Sequence, residues 1–436
     1  MACLQIKSNN PKLSFILSKN PATGMTARPI RQGAAMGWFS PDTNCYNIYF
    51  RDGENTLSYK THEDQQFEYL DHTRYNSPMA VVNMLSEFAH SAMSKPPAED
   101  TPGYDSQVCV LVMRTSKAIL RLFNMQFSGR FHIKETELGT GIYSLVFTTK
   151  LTMQELLSYV YLFCMFNVLR SRLYLYIGNE SLDKLLRLIH LLDAPYFIRH
   201  EFKVAFLHRA DAFKKYKTEL ERSTKQVIQL AYGDTGHTRS AFLEKNILPQ
   251  MHILDIGCGE GAYMPKLSKI IAPAGKNYFG VDTDPEVLAE ATERAQRKQV
   301  ANAAFLPSVD EFEHIHFGPE NPVQVIMSEV IEHMAVDDAR SLVNRVAAWP
   351  VTERIVLTTP NKTFNPLFCL EDEETRHEDH HFELTRPELN AFIQTIRLKP
   401  GWAANVIPVG DVVDGEPLSF GVVLAPGTPA QETHNA

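Results

Sequence analysis

The stretch HILDIGCGEGAYM, residues 252 to 264, decides the fold of the second half of the chain. Its first apolar residues are typical of a buried strand, and Gly257, Gly259 and Gly261 follow before a helical segment. Glycines at such a turn let the backbone approach a ligand and adopt conformations closed to other residues. Nucleotide-binding folds of several kinds share a glycine-rich turn, so this turn alone does not identify the ligand.

The next predicted strand narrows the choice of ligand. YFGVDTDP (278–285) ends in Asp282, about one βαβ unit downstream, where a carboxylate can accept hydrogen bonds from both hydroxyls of a ribose. Asp255 precedes the glycines in a DxGCGxG arrangement, which resembles class I S-adenosylmethionine-dependent methyltransferases more than NAD-binding proteins. A doubly wound domain without a ligand is the less favoured alternative. We therefore predict that Asp255, Gly257, Gly259 and Asp282 bind the methyl donor.

Further strands are predicted in alternation with helices, as in a doubly wound, mostly parallel α/β sheet. They cover residues 303–308, 323–329 and 354–361, and an antiparallel edge pair covers 404–410 and 418–426. Ligands in such sheets bind beyond the carboxyl ends of the strands. Five candidate residues fall at such ends: Gly257, Asp282, Ser308, Glu329 and Asn361. Their shared position at one edge of the sheet supports a binding site more strongly than any single motif. Ser308 is expected on the adenine side of the donor.

The stretch SEVIEHM (328–334) carries the candidate metal ligands. If a helix begins here, Glu329, Glu332 and His333 at positions i, i+3 and i+4 point from one face toward one spot. Two carboxylates and an imidazole that converge are the outline of a divalent-metal site. The alternative is an ordinary solvated helix start, and for so short a match alone that alternative is favoured.

A histidine-rich segment, EDEETRHEDHHFELTRPEL (371–389), follows the fifth strand. A charge run of this kind is usually a solvated surface loop. Thr385, however, is placed to cap a helix that has Pro387 near its start. A loop anchored in this way can lay one of its histidines over SEVIEHM. The three candidates are His377, His380 and His381.

Bulk properties set the remaining limits. A chain of 436 residues is expected to form two domains, and a formal net charge of −8 argues against coating nucleic acid by charge alone. The most apolar run, residues 159–169, is too short to span a bilayer and predicts a buried helix. Six cysteines without CxxC spacing, and no signal peptide pattern, predict a cytoplasmic protein with reduced thiols: Cys3, Cys45, Cys109, Cys164, Cys258 and Cys369.

These patterns predict the domain organisation. Residues 1–205 are expected to form an α+β domain, and 249–426 the methyltransferase domain. Between them, 206–248 reads as a charged helical linker, with contact to an RNA backbone as the weaker alternative. His237 and Arg239 near its end are expected at the rim of the pocket. The polar tail 427–436 is predicted to be disordered.

Three motifs together resemble one family. SEVIEHM, TTPNKTFN (358–365) and RHEDHHFELTR (376–386), behind DIGCGEG, are similar to the Hen-type RNA 3′-terminal ribose 2′-O-methyltransferases. The resemblance implies a divalent metal, Mn²⁺ or Mg²⁺, with two imidazoles favouring Mn²⁺. It also implies that Glu329, Glu332, His333 and His380 are the metal ligands and the catalytic residues. The chain departs from the family pattern at Leu384, where a tryptophan is usual.

The first half, including YIGNESLDKLLR (176–187), is also similar to the amino-terminal domain of bacterial members. That resemblance implies RNA repair beside a polynucleotide kinase–phosphatase and an RNA ligase, with the first domain supporting the ligase. The expected activity is methyl transfer from S-adenosylmethionine to the 2′-hydroxyl of an RNA 3′ end that carries free 2′- and 3′-hydroxyls. Two alternatives remain: a mainly architectural, ligase-activating subunit, and a methyltransferase for a small molecule or a protein.

Overall fold

The computed structural model describes residues 2–30, 33–52, 73–170, 179–204, 209–315, 320–368, 370 and 374–427. The chain divides into two compact units, Met1–Ala205 with Thr218–Lys225, and Phe206–Lys217 with Gln226–Ala436. The assignment of residues 206–248 as a linker remains a prediction. So does the function assigned to each domain. The tail predicted to be disordered lies outside the described residues from residue 428 onward. The first three residues of YIGNESLDKLLR (176–187) also lie outside them.

The first unit contains one antiparallel sheet in the order β2-β3-β4-β1-β5-β7-β6. Its strands are β1 Ala2–Ser8, β2 Thr26–Ile30, β3 Gly33–Phe39, β4 Cys45–Asp52, β5 Ser106–Arg114, β6 His132–Gly139 and β7 Ile142–Thr149. Its helices are α1 Leu13–Ile16, α2 Thr73–Asn76, α3 Pro78–Phe88, α4 His90–Ser94, α5 Lys117–Gln126, α6 Met153–Arg170, α7 Asn179–Leu192 and α8 Tyr196–Val204.

Helix α6 lies at the centre of this unit's core. It contains the apolar run that predicted a buried helix, and 14 of its 18 residues are buried. Tyr159 and Phe163 pack with Phe123 of α5, at ring-centroid distances of 5.8 and 4.9 Å. Burial of these aromatic side chains removes apolar area from water and so stabilises the unit. The buried-helix prediction is confirmed.

The second unit contains an eight-stranded sheet in the order β11-β10-β9-β12-β13-β15-β14-β8. Its strands are β8 Ile228–Gln229, β9 His252–Ile256, β10 Tyr278–Val281, β11 Ala303–Leu306, β12 Val323–Ser328, β13 Thr352–Pro360, β14 Trp402–Val413 and β15 Glu416–Pro426. Its helices are α10 Thr235–Asn246, α11 Met264–Ile271, α12 Pro285–Arg297, α13 Val309–Glu313, α14 Val336–Ala348 and α15 Arg386–Gln394; α9 Ala210–Glu221 spans the division between the units in sequence.

Five strands of this sheet are parallel, and the last three are antiparallel. Neighbouring residues of one strand, Ile253 and Leu254, belong to hydrophobic clusters on opposite faces. Helices therefore cover both faces, which is why these strands are continuous apolar runs. The predicted edge pair is present as β14 and β15. Strand β8 was not predicted, since two residues are too few to show a pattern.

Among the described residues, none of the helices combines the length and hydrophobicity that crossing a bilayer requires. The five described cysteines are all free thiols.

Candidate functional site

The glycine turn after β9 has the backbone conformation that its sequence predicts. Gly257, Gly259 and Gly261 have φ angles of +68°, +52° and +68°, in the left-handed region. A Cβ at Gly257 would lie 2.7 Å from Cγ2 of Val330, whereas a Cβ at Gly259 would meet no heavy atom within 4 Å. The turn therefore packs against the SEVIEHM segment at Gly257 and leaves open space at Gly259.

This difference predicts unequal effects of two alanine substitutions. Both G257A and G259A place a side chain at positive φ, which costs about 1 kcal/mol or more. G257A also forces a methyl group onto Val330, and overpacking of this kind costs roughly 1–3 kcal/mol. We expect G257A to lower the free energy of unfolding by about 2 kcal/mol more than G259A, measured by urea denaturation. Equal losses would contradict the packing described for Gly257.

Asp282 lies at the end of β10 and faces the same turn. One oxygen of its carboxylate accepts a hydrogen bond from the Gly259 N–H at 2.9 Å, and the other accepts from Asp284 N–H at 3.1 Å. The carboxylate is thus held in place at the carboxyl end of the sheet. Ser308 caps the short helix α13, accepting a hydrogen bond from Glu311 N–H at 3.2 Å.

Asp255 lies beneath the turn. Its side chain is buried and accepts a hydrogen bond from the hydroxyl of Tyr278. Burial, and then the charge of Asp282, raise the pKa of Asp255 to about 7. The structure thus places Asp255 in the packing below the glycines, and Gly259 and Asp282 at the open edge.

The SEVIEHM segment does not start an α-helix, so the i, i+3, i+4 face that an α-helix would give is absent. Strand β12 ends at Ser328, and Glu329 has a φ of +56°, a conformation that non-glycine residues rarely adopt. A short 3₁₀ helix, Ile331–His333, follows, and α14 begins only at Val336. The chain therefore bends sharply at Glu329 where the motif predicted a regular helical turn.

Three of the four predicted metal ligands nevertheless converge. One ligand atom from each of Glu332, His333 and His380 lies within 4.8 Å of the other two. The rings of His333 and His380 are 4.7 Å apart between centroids and nearly perpendicular. One carboxylate and two imidazoles are donors that suit Mn²⁺ and neighbouring divalent metals. We call these three residues the metal cluster.

Of the three residues in the metal cluster, Glu332 has the surroundings that best suit a bound cation. It is fully buried, and its Oε1 has no hydrogen-bond partner, while Oε2 accepts from the Thr359 hydroxyl at 3.2 Å. Burial, and then the charge of Glu329, hold the pKa of Glu332 well above its ordinary value. A buried carboxylate oxygen without a partner is costly, and a bound cation would remove that cost.

Glu329 lies outside the metal cluster in this structure. Its Oε2 is paired with Arg239 of α10 at 2.5 Å, and its Oε1 accepts a hydrogen bond from the Thr358 hydroxyl at 2.9 Å. Arg239 was predicted at the rim of the pocket, and it is the positive charge that neutralises Glu329. The predicted metal-ligand role of Glu329 stays a prediction.

Of the three candidate histidines in this segment, only His380 belongs to the metal cluster, although the ring of His377 lies 6.1 Å from that of His333 between centroids. The His381 N–H donates to the Glu332 carbonyl at 2.8 Å, which ties the segment to SEVIEHM. The His377 side chain is exposed and lies 3.6 Å from the carboxylate of Asp379. The segment ends, as predicted, with Thr385 capping a helix, α15, and the cap is a capping box with Glu388.

Two features of the site were not predicted. His380 has a buried partner, Glu383, at 2.6 Å, and Glu332 and Glu329 have hydroxyl partners in Thr359 and Thr358. A carboxylate three residues after His380, the predicted ligand histidine, is the sequence signal for the first. The threonines carry no comparable signal, because their contact depends on the pairing of β12 with β13.

Comparison with known proteins gives two family matches. The family model of the Hen1 N-terminal domain matches residues 3–225, more than half of the chain. A model of a methyltransferase domain matches residues 253–349. Together with the sheet order, the second match confirms the predicted class I S-adenosylmethionine-dependent methyltransferase fold of the second unit.

Curated relatives align with parts of the chain. A small RNA 2′-O-methyltransferase of Caenorhabditis elegans is 29% identical over 75 residues, which are 17% of each chain. The protein of the same name from Arabidopsis thaliana is 24% identical over 182 residues, 38% of this chain and 19% of that protein. The chain therefore spans less than a fifth of the length of either relative.

A solved structure matches almost the entire chain. A chain in the structure of the Pnkp1/Rnl/Hen1 RNA repair complex has a TM-score of 0.77 and 25% sequence identity. The match covers 97% of this chain and 100% of that one. Both units therefore have counterparts in one solved chain.

Proposed function

We propose that this chain, which belongs to the family of the Hen1 N-terminal domain, methylates the 2′-hydroxyl of the 3′-terminal ribose of RNA. It would use S-adenosylmethionine as the methyl donor and a divalent metal at the site. The observation that carries the proposal is the contact of Val330 with the glycine turn at Gly257. Glu332 and His333 follow Val330 within three residues. The metal cluster and the predicted donor site thus adjoin through one segment.

The donor site is argued from the open edge of the glycine turn. The space at Gly259 would admit the donor, and the carboxylate of Asp282 would accept hydrogen bonds from the hydroxyls of its ribose. S-adenosylmethionine, when bound, supplies an electrophilic methyl group on sulfur. Gly259 N–H already fixes one Asp282 oxygen, so the carboxylate is oriented before the donor arrives.

The metal cluster supports a ribose diol as acceptor. Glu332, His333 and His380 would hold the cation, and Glu329 would join them if its pair with Arg239 opened. A divalent cation supplies Lewis acidity that lowers the pKa of a hydroxyl in contact with it. A terminal ribose offers two adjacent oxygens, whereas a 3′-phosphorylated end lacks the second hydroxyl. His333 and His380 would be constrained as general bases if they held the cation.

A comparison of RNA ends tests this function. Transfer of labelled methyl groups is measured on short RNAs that end in 2′,3′-hydroxyls, in a 3′-phosphate, or in a 2′-deoxy ribose. We expect methylation of the first RNA only, because the deoxy end lacks the nucleophile and the phosphate blocks the diol. Equal labelling of the 2′-deoxy RNA would contradict the proposal.

Chelation separates this function from a metal-independent methyltransferase for small molecules or proteins. We expect EDTA to abolish RNA methylation and Mn²⁺ to restore it, with Mg²⁺ less effective, because imidazole ligands favour Mn²⁺. Activity that persists in EDTA on a freshly desalted protein would favour the metal-independent alternative.

The proposal includes an RNA repair assembly. The likeness to a chain of the Pnkp1/Rnl/Hen1 complex over both units supports a kinase–phosphatase and an RNA ligase as partners. The first unit is the part we assign to support of the ligase. If ligation by the co-purified complex persists in a Glu329→Ala variant, the assembly role is separate from methylation. A cytoplasmic location remains the prediction from the cysteine pattern.

A further inference from the structure

We propose that Glu383 is a positioning residue that fixes the ring of His380 for a divalent cation, with Asn365 and Arg376 holding Glu383 in turn. This inference rests on the proposed metal site and assigns to three further residues the task of preparing it. It is carried by a chain of buried and partly buried hydrogen bonds that begins at the metal cluster and ends in the main chain of the sheet.

The first link is the contact between His380 and Glu383. His380 Nδ1 lies 2.6 Å from Glu383 Oε1, and the two side chains are 7% and 1% exposed. Because a carboxylate only accepts hydrogen bonds, the proton of the ring lies on Nδ1. Nε2 is then left with a free lone pair as the ligand atom. Histidines that bind metals commonly have their other ring nitrogen held by a carboxylate in this way.

The second link fixes Glu383 itself. Its Oε1 also accepts the Arg376 N–H at 2.8 Å, and its Oε2 accepts from Asn365 Nδ2 at 2.5 Å. Both oxygens are therefore occupied, and rotation of the carboxylate away from His380 would leave the buried Asn365 amide and the partly buried Arg376 N–H unpaired. Loss of such buried hydrogen bonds to a charged group costs more than loss of exposed ones.

The third link anchors the network to the sheet. The Arg376 guanidinium donates to Asn365 Oδ1 at 2.8 Å, to the Leu418 carbonyl at 2.7 Å and to the Asn361 carbonyl. Asn361 follows β13, and Leu418 lies in β15. A loop rich in charged residues is thus attached to two strands at the edge that carries the candidate site. This rigid attachment is what sets the position of His380.

Metal binding to the full chain, without donor or RNA, tests the role of Glu383. Mn²⁺ affinity is measured by titration calorimetry and by electron paramagnetic resonance for wild type, E383A, E383Q and H380A. We expect E383A to weaken Mn²⁺ binding roughly 10- to 100-fold, as loss of a partner of a ligand histidine typically does. E383Q keeps an acceptor oxygen and is expected to lose less. H380A is expected to lose at least as much as E383A, with unchanged affinity for S-adenosylmethionine.

A control variant distinguishes a loss of His380 positioning from a general loss of stability in the histidine-rich segment. Glu388 accepts from the N–H and hydroxyl of Thr385 in the capping box of α15 and does not contact His380. E388A should lower the melting temperature yet leave Mn²⁺ affinity within twofold of wild type. If E388A weakens Mn²⁺ binding as much as E383A does, the effect is one of stability and the inference is wrong.

The tautomer of His380 gives a readout that does not depend on metal. Nitrogen chemical shifts of ¹⁵N-labelled histidine, assigned by comparison with H380A, should show the proton on Nδ1 in wild type and a mixture in E383A. The same tautomer distribution in both proteins would overturn the inference. A wild-type protein that binds no Mn²⁺ would instead overturn the proposed metal site, and the tautomer would still decide the role of Glu383.

Discussion

Replacing Glu332 by glutamine is expected to abolish methyl transfer while the metal-free protein remains at least as stable as wild type. Glutamine preserves the shape of the side chain but removes the charge that a cation requires. A bound metal supplies several kcal/mol of charge stabilisation, and each ~1.4 kcal/mol corresponds to a factor of ten in rate. We therefore expect a loss of roughly 10³-fold in turnover on RNA with a 2′,3′-hydroxyl end.

The stability of E332Q follows from the surroundings of Glu332. The side chain is fully buried, and its Oε1 has no hydrogen-bond partner. Desolvation opposes the ionised carboxylate, as its raised pKa indicates, so a neutral amide costs the metal-free fold less. Thermal unfolding in EDTA should give an equal or higher melting temperature for E332Q, and added Mn²⁺ should stabilise wild type only.

A neighbouring glutamate provides the control. Glu378 lines the pocket beside His333 and His380 but does not belong to the metal cluster. E378Q should retain activity within about twofold of wild type and still be stabilised by Mn²⁺. If E332Q keeps near-normal turnover, the metal cluster is not part of the reaction, whatever the melting curves show.

The sequence predicted those parts of the site whose determinants are local. A buried strand followed by glycines fixes the turn, and the positive φ angles at Gly257 and Gly259 are conformations that glycine adopts at little cost. The position of Asp282 follows from the spacing of one βαβ unit. The cap at Thr385 was likewise predicted, because Pro387 follows it at the start of a helix, and the structure adds Glu388 as the second half of a capping box.

The parts that were wrong or missed depend on contacts between distant segments. The spacing of Glu329, Glu332 and His333 predicted a helical face, but Glu329 takes a left-handed conformation where its strand ends. Its partner Arg239 lies ninety positions earlier in the chain, and no spacing rule links the two. His380 reaches the cluster because buried and partly buried hydrogen bonds around Glu383 hold its loop, an arrangement that a charge run does not reveal.

The converse of E332Q is expected for Asp282→Ala, which should remove donor binding and spare the metal cluster. Each hydrogen bond from a ribose hydroxyl to a carboxylate contributes about 1.5 kcal/mol or more, so two such bonds correspond to roughly 10²-fold in affinity for S-adenosylmethionine. Calorimetry should show that loss in D282A with unchanged Mn²⁺ affinity. E332Q should show the opposite pattern, with normal donor affinity and no Mn²⁺ binding.

Asp284 controls for damage to the region around Asp282. Its side chain caps α12 by accepting hydrogen bonds from the backbone of Glu286 and Val287, so D284A should cost about 1 kcal/mol of stability. Because Asp282 keeps its bond to Gly259 N–H, D284A should retain donor affinity within about threefold. If D282A and D284A lose donor affinity equally, Asp282 acts by holding the turn and not by binding the ribose. We expect the two sites to bind independently, because they consist of different residues. If either D282A or E332Q lost affinity for both S-adenosylmethionine and Mn²⁺, the two sites would instead be one cooperative unit.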